Sequence, residues 1–432
     1  MGIISTKLAG AGLAMLFMTA ATTASAEIKF NAVASYPTVN AGVYSFTTSK
    51  YDPQLIKRNV FASGGGIAYD DGYFYGVRVE TVMGITAIQQ NSYDMSTWEN
   101  EDSYTGKAES VATANTFDSD LGLAYGCYFN EDGVSYRFAL AKPNYFSATT
   151  IAPLAKPWGA CGFNKDGVLY AIEDDGTLVT VNTDNGAITI VGNTGLVNEN
   201  ITGGMVDKES NTMLYAIKTE AETALYSIDL ATAKATKLYD LANEEQLGGF
   251  FTPAKEYAAN VPGKSTYSVS LSVNSTDPFK ANLAFYPPNL TFGKETGNGE
   301  LTYHIYRNGT EIATGTTAYK GTRISVPVEV DKSGYYCYAV SFSDANGEGP
   351  RKRCDATYMG WDTPKAPASF SLTYTDGKLN LRWGAVSSGE HSGKIDRNNL
   401  IYRVTRYPDN KVVSAADLKT TSMTDEITTP EI

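Results

Sequence analysis

Between residues 159 and 236 apolar and polar positions alternate in short runs, each closed by a Gly, Asn or Asp turn. Leu178-Val179-Thr180-Val181-Asn182 through Gly186-Ala187-Ile188-Thr189 aligns without a gap on Leu225-Tyr226-Ser227-Ile228-Asp229 through Ala233-Lys234-Ala235-Thr236. Alternation of this length predicts a strand, a short turn and a second strand. The halves in front match too: Gly159-Ala160-Cys161-Gly162-Phe163 leads to Leu169-Tyr170-Ala171-Ile172, and Gly204-Met205-Val206 leads to Leu214-Tyr215-Ala216-Ile217. Each unit is therefore four short strands. Looser copies begin near Gly64-Gly65-Gly66-Ile67 and Gly122-Leu123-Ala124-Tyr125, giving a period of roughly 45 residues from Glu27 to Lys255.

A four-stranded sheet has two faces to bury and cannot cover both alone, so units repeated at this period predict the radially stacked blades of a β-propeller. About five blades are expected. Leu247-Gly248-Gly249-Phe250-Phe251 begins a last unit whose later strands are missing, while Val43-Tyr44-Ser45-Phe46 and Leu55-Ile56-Lys57 supply a back half at the other end. The ring is expected to close by completing the last blade with N-terminal strands. The Leu-Tyr-x-Ile-Asp and Thr-Gly pattern resembles quinoprotein-like and related bacterial propellers in architecture. The Trp that docks their blades is absent after Gly186 and after Ala233, so the resemblance implies no quinone and no cofactor is expected.

From about Ala258 the blade pattern stops, with Pro262 and Gly263 in the boundary, and segments of about 100 residues with sandwich-like alternation begin. Leu283-Ala284-Phe285 corresponds to Leu381-Arg382-Trp383, and Leu301 to Arg307 corresponds to Leu400 to Arg406. Gly334-Tyr335-Tyr336-Cys337-Tyr338-Ala339-Val340 is expected as one penultimate strand, and Asn346-Gly347-Glu348-Gly349 as the turn after it. On these residues the segment resembles fibronectin type III domains. A second copy opens at Asp362-Thr363-Pro364-Lys365-Ala366-Pro367 and runs to Asp425 without the two final strands, so it is expected to be incomplete. The expected fold class is all-β. Its parts are a signal segment at 1–26, a propeller at 27–257, one fibronectin type III-like sandwich at 258–361 and a second, truncated one at 362–432. The combination resembles large surface proteins of Gram-negative anaerobes, in which a jelly-roll of the choice-of-anchor or cleaved-adhesin type often follows.

The first residues carry Lys7, an apolar run from Leu8 to Ala21, and Ala24-Ser25-Ala26 before Glu27. That is the pattern of a secretory signal cleaved after Ala26, with export to the cell exterior or surface. No later stretch is apolar and long enough to span a bilayer. The chain's 432 residues are 42% hydrophobic and 12% aromatic, enough to build packed cores. A net charge of -12 argues against nucleic acid, whose backbone demands clustered Lys and Arg.

Candidate chemistry is sparse. Cys337 and Cys354 flank the turn Asp344-Ala345-Asn346-Gly347, which predicts a disulfide across a hairpin. Cys127 and Cys161 each lie five residues before an Asp-Gly turn, at Asp132 and Asp166. Equivalent positions of consecutive units admit a second bridge or two buried free thiols. His304 is expected to face solvent and His391 to sit in a loop, so neither a zinc site nor a nucleophile relay is indicated. Asp70-Asp71-Gly72, Glu131-Asp132-Gly133 and Glu173-Asp174-Asp175-Gly176 read as hairpin turns, because their central residues take positive φ. No alternating ladder of calcium ligands accompanies them. Arg351-Lys352-Arg353 reads as the guard of an edge strand. No catalytic, cofactor-binding or metal-binding residue stands out.

These features point to an exported binding or adhesion protein, its propeller recognising a glycan or protein and its sandwiches acting as spacers. The alternatives are a carbohydrate-active enzyme with carboxylates in the propeller channel, and a display scaffold for a further domain.

Overall fold

The computed structural model describes residues 27–426 except 71, 83–84, 143–145 and 243, so the signal segment expected at 1–26 lies outside the described residues. Three strands come first: β1 (Lys29–Tyr36), β2 (Gly42–Thr47) and β3 (Gln54–Arg58). Four-stranded meanders follow. Blade 1 is β4 (Gly66–Ala68), β5 (Tyr73–Val82), β6 (Ile85–Asp94) and β7 (Asn100–Thr105). Blade 2 is β8 (Ala112–Asp118), β9 (Leu123–Phe129), β10 (Tyr136–Lys142) and β11 (Ser147–Leu154). Blade 3 is β12 (Trp158–Phe163), β13 (Leu169–Glu173), β14 (Thr177–Val181) and β15 (Ile188–Asn193). Blade 4 is β16 (Gly204–Asp207), β17 (Thr212–Lys218), β18 (Thr223–Asp229) and β19 (Ala235–Asp240). Finally β20 (Gln246–Phe251) pairs antiparallel with β1, matching Ala34 to Leu247, so blade 5 has the order β20-β1-β2-β3.

The inner strands β4, β8, β12, β16 and β20 lie side by side in a closed ring. They start at residues 66, 112, 158, 204 and 246, so successive starts fall 46, 46, 46 and 42 positions apart. This spacing corrects one sequence expectation. The copy expected to begin at Gly122 is the second strand β9, and the inner strand of blade 2 is β8, whose Ala-Thr-Ala-Asn sequence lacks the glycine signal of its neighbours. Every blade interface has its own apolar core. Tyr125, Cys127 and Phe138 of blade 2 meet Cys161, Phe163 and Leu169 of blade 3. Ile172 and Leu178 meet Tyr215 and Ile228, Leu214 and Leu225 meet Phe30 and Phe46, and Val33 and Val43 meet Phe74 and Tyr93. Ile67 meets Tyr128 and Ala139. Burial of these side chains, each worth about 1.5–3 kcal/mol, holds the ring together.

The next region is a sandwich. One sheet is β21 (Ser270–Val273), β22 (Lys280–Phe285) and β25 (Ile324–Glu329); the other contains β23 (Glu300–Arg307), β24 (Thr310–Ala318), β27 (Tyr338–Asp344), β28 (Gly347–Glu348) and β29 (Lys352–Arg353). Both sheets contribute to one core of Leu283, Phe285, Leu301, Ile305, Tyr338, Val340 and Phe342. The single strand expected from Gly334 to Val340 breaks at Cys337. Its first part, β26 (Gly334–Tyr336), pairs with β30 (Thr357–Met359), and its second is β27. The C-terminal region holds the sheet β31 (Ser371–Thr375), β32 (Lys378–Arg382) and β35 (Ser422–Glu426), with the pair β33 (Thr405–Arg406) and β34 (Lys411–Val412).

All four cysteines are free and buried: the bridge expected between Cys337 and Cys354 is not formed, and of the two alternatives open for Cys127 and Cys161 the structure has the buried free thiols. Cys354 donates its N–H to Tyr338 O and Ala339 lies opposite Arg353, so Cys354 stands across from Tyr338 and one residue out of step with Cys337. Adjacent residues of a strand point to opposite faces. Cys127 is on the second strand of blade 2 and Cys161 on the inner strand of blade 3, so their Asp-Gly turns are not equivalent. Burial pushes the Cys127 thiol up to about 11 and that of Cys337 to about 12.

Candidate functional site

A propeller offers ligands two ring faces and an axis. One face is built from the turns that join first to second strands. Asp118 Oδ1 accepts the N–H groups of Asp120 and Leu121 at 2.8 and 3.1 Å. Asn164 Oδ1 accepts those of Asp166 and Val168, and Asp207 Oδ2 accepts that of Ser210. The three residues occupy the same place in blades 2, 3 and 4. Lys208 bridges two of these turns, reaching Asp118 at 2.7 Å and Asp120 at 3.3 Å.

The sandwich sits on this face. Arg353, its side chain 9% exposed, pairs through Nε and Nη2 with the carboxylate of Asp70. Its guanidinium lies over Tyr69 and Phe117, 5.2 and 5.3 Å from the ring centres. Arg351 stacks 3.6 Å from the centre of the Tyr306 ring and lies 3.5 Å from Asp120. The basic run expected to guard an edge strand is thus a docking element: β29 is paired to β27, and the run's Arg353 and Arg351 face blades 1 and 2. The counter-charge of Arg353 lies 283 residues away in sequence, so the run by itself carried no sign of it.

The axis is closed at the opposite end. Gly64 O accepts from Gly249 N at 2.8 Å, Gly203 N donates to Leu247 O at 2.8 Å, and Gly65 N donates to Ala112 O at 3.2 Å. A side chain at Gly64 would meet Ile201 and the carbonyls of Ala112 and Thr113, and one at Gly203 would meet the Cα of Gly248. These glycines let backbone pack on backbone from blades on different sides of the ring.

Beside this closed end the open face carries a cleft of about 770 Å³ between blades 4 and 5. Tyr36, 41% exposed, forms one wall. Lys218 Nζ lies 4.7 Å from the centre of its ring and donates to Glu244 O at 3.0 Å. Glu199, Asn200, Glu220, Glu222, Asp240 and Gln246 are among the other lining residues. Lys237 bonds Glu222 at 2.8 Å and Asp240 at 2.5 Å. Hydrogen bonds from Lys237 and Tyr226 hold the Glu222 carboxyl below its ordinary range, so it is an ionised acceptor. Glu245, behind the lining, is pushed up by burial while Tyr51 bonds it at 3.0 Å.

The sequence singled out none of the cleft residues, and the residues it did weigh lie elsewhere. His304 on β23 is largely covered, bonded to Glu311 at 2.9 Å and to Ser343 at 2.8 Å, where an exposed side chain was expected. His391 meets Asp362 at 2.7 Å and stacks on Tyr358, centroids 4.7 Å apart. Asp132 Oδ1 accepts the N–H groups of Val134 and Ser135, as a hairpin turn requires, and Gly133 has φ 68°. Asp175 accepts from Thr177 N and pairs with Lys156 at 2.7 Å, which with Thr177 holds its carboxyl at about 2. Among the described residues no three His, Cys, Asp or Glu side chains form a metal-binding group, and no helix is long and apolar enough to cross a membrane.

No family model and no curated protein matches the chain. Solved structures that resemble it include TolB from Acinetobacter baumannii, at 10% identity and a TM-score of 0.33, over 77% of this chain and 66% of that one. A chain of the nidogen/laminin complex is similar at 11% identity and a TM-score of 0.30, over 63% of this chain and 93% of that one. Hydrazine synthase of Kuenenia stuttgartiensis is similar at 9% identity and a TM-score of 0.28, over 76% and 78% of the two chains. The chain is all-β, with a ring of five four-stranded sheets among its described residues.

Proposed function

We propose that this chain is a binding protein of the cell exterior whose propeller recognises a glycan on its open face. The segments 258–361 and 362–432 serve as fibronectin type III-like spacers, and residues 1–26 as the export signal. The carrying observation is the cleft between blades 4 and 5: one exposed tyrosine among amides, carboxylates and the lysines Lys218 and Lys237, with Glu222 held ionised. Aromatic faces stack on sugar rings and ionised carboxylates accept sugar hydroxyls. A glycosidase needs instead a carboxyl raised enough to donate a proton. Glu245 is raised, but it lies behind Tyr51 and does not line the cleft. The closed end of the axis also weighs against carboxylates working in the channel.

The test is retention of glycans and matrix proteins by the purified full chain, with bound ligand recovered and sized. Tyr36→Ala is expected to weaken glycan retention about tenfold, the loss of one stacking contact of roughly 1.4 kcal/mol. Recovery of shortened glycan would replace this reading with the enzyme. Retention of matrix protein alone would make the ligand a protein.

A further inference from the structure

A second groove, of about 540 Å³, runs along the flank between blades 1 and 2. At its base lies Arg137 of β10, only 8% exposed. Its Nε donates to Phe129 O at 3.2 Å, Nη1 to Ala148 O at 3.0 Å and to Thr150 Oγ1 at 3.1 Å, and Nη2 to Glu109 O at 2.9 Å. A guanidinium has five N–H groups, so one on Nη2 is left without an acceptor among the described residues. None of its acceptors is a carboxylate, and among the described residues it forms no ion pair. Glu109 turns its own carboxylate toward Lys107, at 4.0 Å. Buried arginines are ordinarily paired, because taking the charge out of water is costly. Here backbone carbonyls and a tyrosine face, Tyr128 at 5.7 Å, hold a cation against an open groove.

The walls narrow the choice of anion. Phe146 lines the groove, with half-exposed Tyr104 beside it at 6.5 Å between ring centres. Thr105, Ser110 and Asn130 add neutral polar groups. An aromatic wall, hydrogen-bonding side chains and one buried cation are the complement of a sugar ring carrying a single negative group. Lys107, facing Glu109, and Glu131 also line the groove, so its rim carries more negative than positive charge and disfavours polymers charged at every residue. We infer that this groove binds one acidic sugar residue, a uronate or a sulfated sugar, within an otherwise neutral glycan, with the anion on Arg137. This site stands whether or not the cleft between blades 4 and 5 is the principal one.

The experiment is calorimetric titration of the full chain with three trisaccharides: one ending in glucuronate, one ending in a 6-sulfated sugar, and the neutral parent. The inference expects at least one acidic form to bind about ten- to a hundredfold more tightly than the parent, the range of a charged hydrogen bond. Which acidic form binds identifies the anion. Arg137→Lys keeps the charge but loses the fork, and it should erase most of that preference. Because Arg137 is buried, Phe146→Ala at the rim is the control for misfolding; it should weaken acidic and neutral ligands alike while leaving the melting temperature unchanged. Equal binding of all three sugars, no binding by the folded wild type, or an unchanged preference in a folded Arg137→Lys variant would overturn the inference.

Discussion

In the sandwich, Leu271 of β21 stands opposite Leu283 of β22, and both pack on Phe285 and Phe342 in a closed core. In the C-terminal sheet Leu372 of β31 stands opposite Leu381 of β32, and Tyr374 opposite Leu379, in the same register. There Leu372 is 52% and Tyr374 65% exposed. The other face of both edge strands is polar: Ser270 and Ser272 in the first, Ser371, Thr373 and Thr375 in the second. Two equally amphipathic strands therefore end in different environments. In the sandwich the long strands β23 and β27 share a core with the first strand, whereas in the C-terminal region the second sheet consists of the two-residue strands β33 and β34.

The largest effect should come from the core itself. Phe342→Ala is expected to cost the sandwich about 3–5 kcal/mol, the usual loss for a fully buried aromatic. Tyr374→Ala should change stability by less than about 0.5 kcal/mol, as exposed positions do. Hydrogen exchange resolved by region measures both; similar losses at the two sites would break the comparison.

An intermediate effect is expected at the joint between the two regions. The fully buried carboxylate of Asp362 accepts from His391 N at 2.9 Å, Gly393 N at 2.8 Å and His391 Nδ1 at 2.7 Å. Asp362→Ala strands these donors, at a cost of about 1–3 kcal/mol, and should speed proteolysis near residues 389–393 without touching the ring. Unchanged cleavage there would mean that the stacking of His391 on Tyr358 holds the joint by itself.

The smallest effect concerns pH. Burial pushes the Glu348 carboxyl up, but hydrogen bonds from Ser341 and Tyr306 outweigh it and hold the group below its ordinary 4.5. A depressed acid stabilises the folded state above that value and loses the contribution as pH falls through the folded one. Glu348→Gln should therefore narrow its stability gap from the wild type below pH 4.5 and keep it constant above. A gap that widens on acidification would contradict this assignment, and melting curves from pH 3 to 7 would show it.

Much of the ring was legible along the chain. The alignment of residues 159–189 on 204–236 marked two blades strand for strand, because period-two alternation and Gly or Asx turns are local properties. The closure of the ring by N-terminal strands was legible for the same reason: a first strand without successors at Leu247 implied strands without a predecessor near Val43. Blade 2 was misplaced by one strand because β8 alternates small and polar residues, and small residues give period-two patterning little contrast. Neither the cleft nor the groove was visible. Tyr36 ends β1 of blade 5 while Lys218 and Glu222 flank one turn of blade 4, and Arg137 lies on β10 while Phe146 precedes β11. None of them carries a local motif.

Sequence by itself therefore determined the all-β class, the repeat, and which side of each strand is apolar. Tertiary structure decided which apolar sides find a partner, why Arg353 answers Asp70, and how Arg137 came to be buried without a carboxylate. The physical reason is range: turn chemistry and alternation act over a few residues, whereas burial and charge pairing depend on chains that meet only after the ring and the sandwich have formed.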